Sequence, residues 1–155
     1  MKAFDLIVLG AGPGGYVAAI RAAQLGLKVA CVDKNPLLGG TCLRIGCIPS
    51  KALLESSELF VQAQDGLKDH GIEIQSAQLD LAKMLKRKDK VVDALTKGIA
   101  ALFRKHQIEH VQGQGRLGQQ RRVIVKTESG ETELKAPHVI IATGSQPATL
   151  PGIQP

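Results

Sequence analysis

Rings are scarce in this chain: its 155 residues include no tryptophan, one tyrosine and three phenylalanines. That argues against a surface for single-stranded nucleic acid, which stacks bases on aromatic side chains. No apolar run approaches the roughly 20 residues of a membrane-spanning helix. No signal peptide or Arg/Ser-rich transit segment precedes the first predicted strand, which begins at about Phe4, so a cytoplasmic chain with no membrane partner is expected. Cysteine is scarce as well. Cys31, Cys42 and Cys47 are too few for a disulfide scaffold, and a close pair in a cytosolic chain is more often catalytic or metal-binding.

Acid is the minority charge, with 14 Asp and Glu against 20 Lys and Arg, for a net charge of +6. Much of the excess comes from Lys83, Lys86, Arg87, Lys88 and Lys90 on one predicted helix. A solvated helix face accounts for such a run. Nucleic acid would want aromatics or a known module beside it, so no nucleic-acid partner is expected.

What remains is globular: 44% of residues are hydrophobic and 22% charged, in a length that can bury a core. Phe4 to Leu9 reads as a buried parallel strand, Tyr16 to Leu25 as an Ala-rich helix, and Lys28 to Val32 as a second strand closed by Asp33. Between the first strand and the helix lies Gly10-Ala-Gly12-Pro13-Gly14-Gly15. A GxGxxG alone is a weak signal, but this one follows a strand, opens a helix and is answered by an acid 23 residues after Gly10. Gly10 makes the tight turn, Gly12 admits a pyrophosphate to the backbone, and Gly15 lets the helix pack on the sheet. The phosphate charge would meet the free amides of the helix start. Asp33 would accept hydrogen bonds from the ribose hydroxyls.

Downstream, Ser50 to about Leu67 reads as a helix ended by His70-Gly71, with Ile72 to Ile74 extended. A longer helix is predicted from about Leu79 to Lys105, its apolar stripe made of Leu81, Met84, Leu85, Val92, Leu95, Ile99 and Leu102. Three short strands follow near Glu109 to Gly115, Arg122 to Thr127 and Glu131 to Leu134, the last two joined at Ser129-Gly130. A final strand runs from His138 to Ala142. His106-Gln-Ile-Glu109-His110 spells an inverted zinc-protease pattern. That chemistry needs both histidines on one helix face, whereas this segment straddles a predicted helix end and strand start, so no metal site is expected.

The stretch that carries chemistry is Gly39-Gly40-Thr41-Cys42-Leu43-Arg44-Ile45-Gly46-Cys47-Ile48-Pro49-Ser50-Lys51. Five residues of regular helix advance about 7.5 Å, but disulfide Cα atoms lie within roughly 7 Å. The turn between Cys42 and Cys47 must be distorted, and Gly46 can allow it. A thiolate is the working nucleophile, so one of the two must titrate well below the free value of about 8.5. The helix expected to start near Pro49 supplies a favourable dipole. Two buried structural cysteines, or a zinc pair, are the plainer alternatives, but spacing and partner ligands are wrong for zinc. Cys31 sits mid-strand between Ala30 and Val32, where a buried inert thiol is expected.

This stretch closely resembles the redox-active site of the pyridine nucleotide-disulfide oxidoreductases, and the dihydrolipoamide dehydrogenase branch in particular. The Pro49-Ser50-Lys51-Ala52-Leu53-Leu54 continuation is similar to that branch, whereas glutathione and trypanothione reductases usually carry Pro-Lys-Lys. Mercuric reductases share the Pro-Ser-Lys. Arg44-Ile45 departs from the family's usual Asn-Val. The likeness continues through Val92 to Phe103, through Gly113-Gln-Gly115, and through Ala142-Thr143-Gly144-Ser145, so it spans essentially the whole chain.

The resemblance implies an α/β fold: a Rossmann-like FAD-binding domain over residues 1–155, with a parallel sheet, a helical excursion and a small antiparallel β-meander. It assigns Cys42 as the interchange thiol and Cys47 as the thiol facing the flavin. Lys51 is placed to stabilise the reduced flavin. FAD would be held by Gly10, Gly12, Pro13, Gly14, Gly15, Asp33, Lys34, Gly40, Thr41, Cys42, Cys47, Lys51, Gly115, Ala142, Thr143, Gly144 and Ser145. The family's NAD domain, catalytic base and dimer-interface domain have no counterpart in these residues. The implied reaction, dihydrolipoamide and NAD to lipoamide and NADH, would therefore belong to a longer homodimer, the 155 residues alone being inactive. Its substrate would ride on a lipoyl domain of a 2-oxo acid dehydrogenase complex. A mercuric or other flavin disulfide reductase, and a flavin-binding module without turnover, are the competing readings.

Overall fold

The computed structural model describes residues 2–146, Ala148 and Gly152. The chain divides into two compact units, Met1–Pro36 with Phe103–Pro155, and Leu37–Leu102.

The first unit is built on two sheets. One is wholly parallel, with the order β4 (Glu109–Gln112), β3 (Val29–Asp33), β2 (Leu6–Leu9), β8 (His138–Ile141). All four residues of β2 are buried, which is what a parallel strand covered on both faces requires. Helix α1 (Pro13–Gln24) packs on β2 and β3. Its buried positions are Gly15, Ala19 and Ala22, so small side chains at helical spacing bring helix and sheet together. Pro13 opens the helix at a position where its missing N–H costs no bond.

The second sheet has the order β1 (Lys2–Ala3), β7 (Gly130–Lys135), β6 (Arg122–Thr127), β5 (Gln114–Leu117). Strands β5, β6 and β7 form the antiparallel meander, and β1 adds in parallel at its edge. Alternation along β6 turns Val123 and Val125 inward, each fully buried. They join Leu134, Phe4, Ile7, Leu9, Ala30 and Val32 in one core cluster drawn from both sheets. Each such side chain contributes about 1.5–3 kcal/mol when fully buried.

Two expectations are corrected here. The segment Glu109 to Gly115 is not one meander strand: the chain turns at Gly113 (φ 156°), so Glu109–Gln112 joins the parallel sheet and Gln114–Leu117 the meander. Pairing with the end of β3, which no local pattern encodes, decides the split. The pairing of Lys2–Ala3 with β7 was likewise not expected.

The second unit is helical. It contains α2 (Gly40–Ile45), α3 (Cys47–Val61), a π-helical turn Gln62–Gly66, a short 3-10 turn Lys68–His70, and most of α4 (Leu81–Lys105). The helix expected from Ser50 therefore starts three residues earlier, and a short helix, α2, precedes it where a distorted turn was expected. The apolar stripe of α4 is only partly covered. Ile99 is 7% exposed, while Leu81, Leu85, Leu95 and Leu102 are 41% to 57% exposed.

Candidate functional site

In the first unit the chain leaves β2 at Gly10, turns, and enters α1 at Pro13. Gly10 has φ +97°, and a Cβ there would lie 2.2 Å from the Ala142 carbonyl oxygen. A Cβ on Gly15 would lie 1.8 Å from the Gly10 carbonyl oxygen. Loop, helix and the chain beyond β8 thus meet backbone to backbone, an approach no other residue permits. Gly115 on β5 belongs to the same surface, since a Cβ on it would reach 2.8 Å from Leu9 and 3.1 Å from Val32. Ala142 donates its N–H to the Leu9 carbonyl at 2.8 Å, leading the exposed Thr143, Gly144 and Ser145 away from the end of β8. Gly12, Pro13 and Gly14 form the start of α1, where a Cβ on Gly14 would meet nothing within 4 Å and the amides of the first turn, Pro13 having none, lack an intrahelical partner.

Asp33 closes β3. Its Oδ2 accepts the Ala11 N–H at 2.7 Å, and its Oδ1 accepts from Asn35 N (2.8 Å) and Asn35 Nδ2 (2.9 Å). The carboxylate therefore braces the glycine loop from beside it. Asn35, two residues after the acid, was not foreseen; a local Asx turn is the signal that could have found it. Lys34 between them is exposed.

Two further side chains sit on this sheet. Cys31 is fully buried with its Sγ 3.7 Å from the Gly10 carbonyl oxygen. Burial, and then the charge of Asp33, push its thiol up to about 12, so it is inert. Its register partner on β4 is His110, which the sequence offered only within the dismissed zinc pattern. The imidazole stands edge-on to Phe103 with ring centroids 6.5 Å apart, and its Nε2 is buried without a hydrogen-bond partner among the described residues. Burial pulls its pKa below the ordinary value, the charge of Asp33 opposing. Because α4 ends at Lys105 and β4 begins at Glu109, His106 and His110 do not share a helix face. Among the described residues no group of three or more His, Cys, Asp and Glu is placed to hold a metal ion.

In the second unit, α2 runs through Thr41 and Cys42 and ends at Gly46, and α3 starts at once with Cys47. The break sets Cys42 and Cys47 on either side of a single glycine joint. A Cβ on Gly46 would stand 3.0 Å from the Thr41 carbonyl oxygen and 3.1 Å from the Cys42 Cα, so glycine allows the two helix ends to close up. Ser50 ties the joint, its Oγ and N–H donating to the Gly46 carbonyl at 2.8 and 3.1 Å. Cys42 is half-buried and Cys47 exposed, both as free thiols. The Cys42 thiol is held above its ordinary pKa, first by its hydrogen bond to the Cys47 sulfur, then by burial and by charge on Cys47. The Cys47 backbone N–H and the Lys51 ammonium pull the other way and are outweighed. In this dithiol form the Cys42 thiol therefore titrates high.

Arg87 on α4 holds the redox helix from outside. Its guanidinium donates to the Ala52 carbonyl at 3.0 Å and to Glu55 Oε2 at 2.6 Å, both on α3. In the sequence this arginine is hidden within a run of five basic residues.

Residues 4–155 match the sequence pattern of the pyridine nucleotide-disulphide oxidoreductases. The chain belongs to this family. Dihydrolipoyl dehydrogenase 3 of Pseudomonas aeruginosa is 54% identical over 155 residues, covering 99% of this chain and 33% of the relative. Leghemoglobin reductase of Vigna unguiculata is 51% identical over 96% of this chain and 29% of its own length. The mitochondrial dihydrolipoyl dehydrogenase of Pisum sativum is 49% identical over 96% of this chain and 30% of its own. Among solved structures, the Cu(II) complex of the HOCl-induced flavoprotein disulfide reductase RclA from Escherichia coli overlays with a TM-score of 0.77. It is 25% identical, with 97% of this chain and 31% of that one covered. The chain therefore spans about a third of the length of the relatives it matches. Membership agrees with an α/β fold of parallel sheet, helices and antiparallel strands. No helix among the described residues is long and apolar enough to cross a membrane.

Proposed function

We propose that this chain is the FAD-binding, dithiol-bearing part of a dihydrolipoamide dehydrogenase. The observation that carries the reading is the break at Gly46, which ends α2 just after Cys42 and starts α3 at Cys47 with no room there for a side chain. The first unit fits an extended dinucleotide at the start of α1: Gly10 and Gly15 lock loop and helix together backbone to backbone, Gly14 faces open space, and the first-turn amides of α1 have no intrahelical partner. The pyrophosphate would lie at Gly12 to Gly15, with Asp33 and Lys34 towards the ribose and Thr143 to Ser145 lining the far side. Gly40, Thr41 and Lys51 would complete the flavin contacts in the second unit.

Catalysis by this chain's own residues is thiol–disulfide exchange. With the pair oxidised, a substrate thiolate attacks the Cys42 sulfur, a substrate–Cys42 mixed disulfide forms, and Cys47 leaves as a thiolate. The second substrate thiolate then attacks the substrate's own sulfur in that mixed disulfide, closing the cyclic product and releasing Cys42 as a thiolate. Two electrons now reside on the pair. The Cys47 N–H at the start of α3 and the Lys51 charge both favour the anion on Cys42 as it leaves. FAD, when bound, supplies the two-electron acceptor that reoxidises the pair and hands hydride to NAD. The substrate would be delivered on a lipoyl domain of a 2-oxo acid dehydrogenase complex, to an enzyme working as a homodimer in the cytoplasm.

The test is Cys42→Ser in the complete holoenzyme, assayed with dihydrolipoamide and NAD. Loss of at least a thousandfold in kcat with flavin content retained supports the reading; normal turnover overturns it. Faster NADPH-dependent reduction of Hg(II) than of lipoamide by the parent enzyme would reassign the substrate.

A further inference from the structure

Helix α4 holds eight basic and two acidic residues, so it alone carries a charge of +6, the net charge of the whole chain. Lys83, Lys86, Lys90 and Lys97 recur at spacings of three, four and seven, which places them on one face of the helix. All four are exposed. Lys83 and Lys97 touch Asp80 (3.3 Å) and Asp93 (2.7 Å) of their own helix region in solvent-exposed pairs, which hold weakly. Lys86 and Lys90 pair with no acid among the described residues.

This face is not the one that packs. Thr96, Ile99 and Phe103, each 3% to 7% exposed, mark the packed side of α4. Nor is the face remote from the redox pair. Arg87, one turn from both Lys83 and Lys90, grips α3 at Ala52, five residues on from Cys47.

We infer that the lysine face of α4 is a docking surface for an acidic protein domain that carries the dithiol to Cys42 and Cys47. The inference rests on the proposed function and names the partner of that same site. A small uncharged dithiol needs no such field. A tethered one gains from it, because complementary charge steers encounter and fixes orientation. Nucleic acid is disfavoured because no aromatic side chain interleaves the lysines. A membrane surface is disfavoured because the exposed leucines of α4, Leu81, Leu85, Leu95 and Leu102, lie on the side opposite the lysines, so one face cannot meet lipid headgroups and acyl chains together.

The experiment compares the complete holoenzyme with a variant carrying Lys83→Gln, Lys86→Gln, Lys90→Gln and Lys97→Gln, a change that removes charge while keeping good helix formers. Two substrates are used, free dihydrolipoamide and an isolated reduced lipoyl domain of net negative charge, at low and at physiological salt. The expected result is a KM for the lipoyl domain raised tenfold or more, a flattened salt dependence, and unchanged kinetics on free dihydrolipoamide. Equal KM values for the domain in variant and parent overturn the proposal. Equal losses on both substrates also overturn it, since the face would then support the site rather than the partner. Tighter binding of a fluorescent DNA duplex than of the domain, abolished in the variant, would reassign the face to nucleic acid. A parent enzyme inactive on both substrates refutes the functional reading itself, and the docking proposal falls with it.

Discussion

Gly14 and Gly15 are adjacent in the first turn of α1, and alanine at each should behave in opposite ways. Both substitutions replace a helical glycine, which alone stabilises by about 0.5–1 kcal/mol. At Gly14 nothing lies within 4 Å of the added Cβ, so the propensity gain stands unopposed. At Gly15 the Cβ would come 1.8 Å from the Gly10 carbonyl oxygen and 3.5 Å from the Ala142 Cβ. An ordinary contact requires α1 to withdraw by roughly 1.5 Å or more. That separates Ala19 and Ala22 from the sheet they bury against, a strain of the kind that costs about 1–3 kcal/mol in well-packed cores. The shared gain cancels between them, so the two variants should differ by the strain alone, about 1–3 kcal/mol in stability, Gly14→Ala above the parent and Gly15→Ala below Gly14→Ala. Urea titration followed by far-UV circular dichroism reads the difference as a midpoint shift of roughly 0.5–3 M for m values of about 1–2 kcal/mol/M. Midpoints agreeing within about 0.3 M would refute the argument. FAD titration adds a second axis: Gly14→Ala should bind flavin more weakly despite its higher stability, because its methyl projects into the open mouth of the loop.

Other predictions follow from the thiols and the buried imidazole. In the native protein Ellman's reagent at pH 8 should titrate Cys42 and Cys47 and leave Cys31, fully buried and titrating at about 12, until denaturant is added; prompt reaction of all three would contradict the burial. Cys47→Ala removes the hydrogen bond and the charge that raise Cys42, so alkylation of Cys42 by iodoacetamide should reach half-maximal rate at lower pH, and Lys51→Met in that background should move it back up. An unmoved profile would show that Cys47 does not control its partner. His110 has a folded pKa below its unfolded value of about 6.5, so the unfolded state binds more protons just below that pH. Stability is then fully present above about pH 6.5 and declines as pH falls towards the folded pKa. His110→Phe should flatten that decline in urea midpoints between pH 7 and 5, and an unchanged slope would assign the loss to other groups.

The catalytic motif and the fold class were legible in the sequence because both are local. Gly10 to Gly15 must turn tightly after a strand, and Gly46 must break the helix between Cys42 and Cys47. Each requirement acts over a few covalently linked residues. Cys31 was legible for a similar reason, since a mid-strand position in an apolar run predicts burial. The misread elements depend on distant partners. Glu109 to Gly115 looks like one strand until β3 takes its first half and β6 its second. The Asp33 carboxylate looked like a ligand for ribose alone, yet the fold has it brace Ala11, 22 residues away.

By itself, then, the sequence determined that this is an α/β chain with a glycine-rich turn between strand and helix and a cysteine pair at a glycine break, because glycine, proline and cysteine impose their geometry and chemistry on their immediate neighbours. The tertiary structure alone decided that the Cys42 thiol sits high, that Arg87 anchors α3, and that the His110 Nε2 is buried without a hydrogen-bond partner among the described residues. Those outcomes depend on through-space distances among sulfur, carbonyl, ring and charge, and such distances exist only once strands and helices far apart in the chain have packed together.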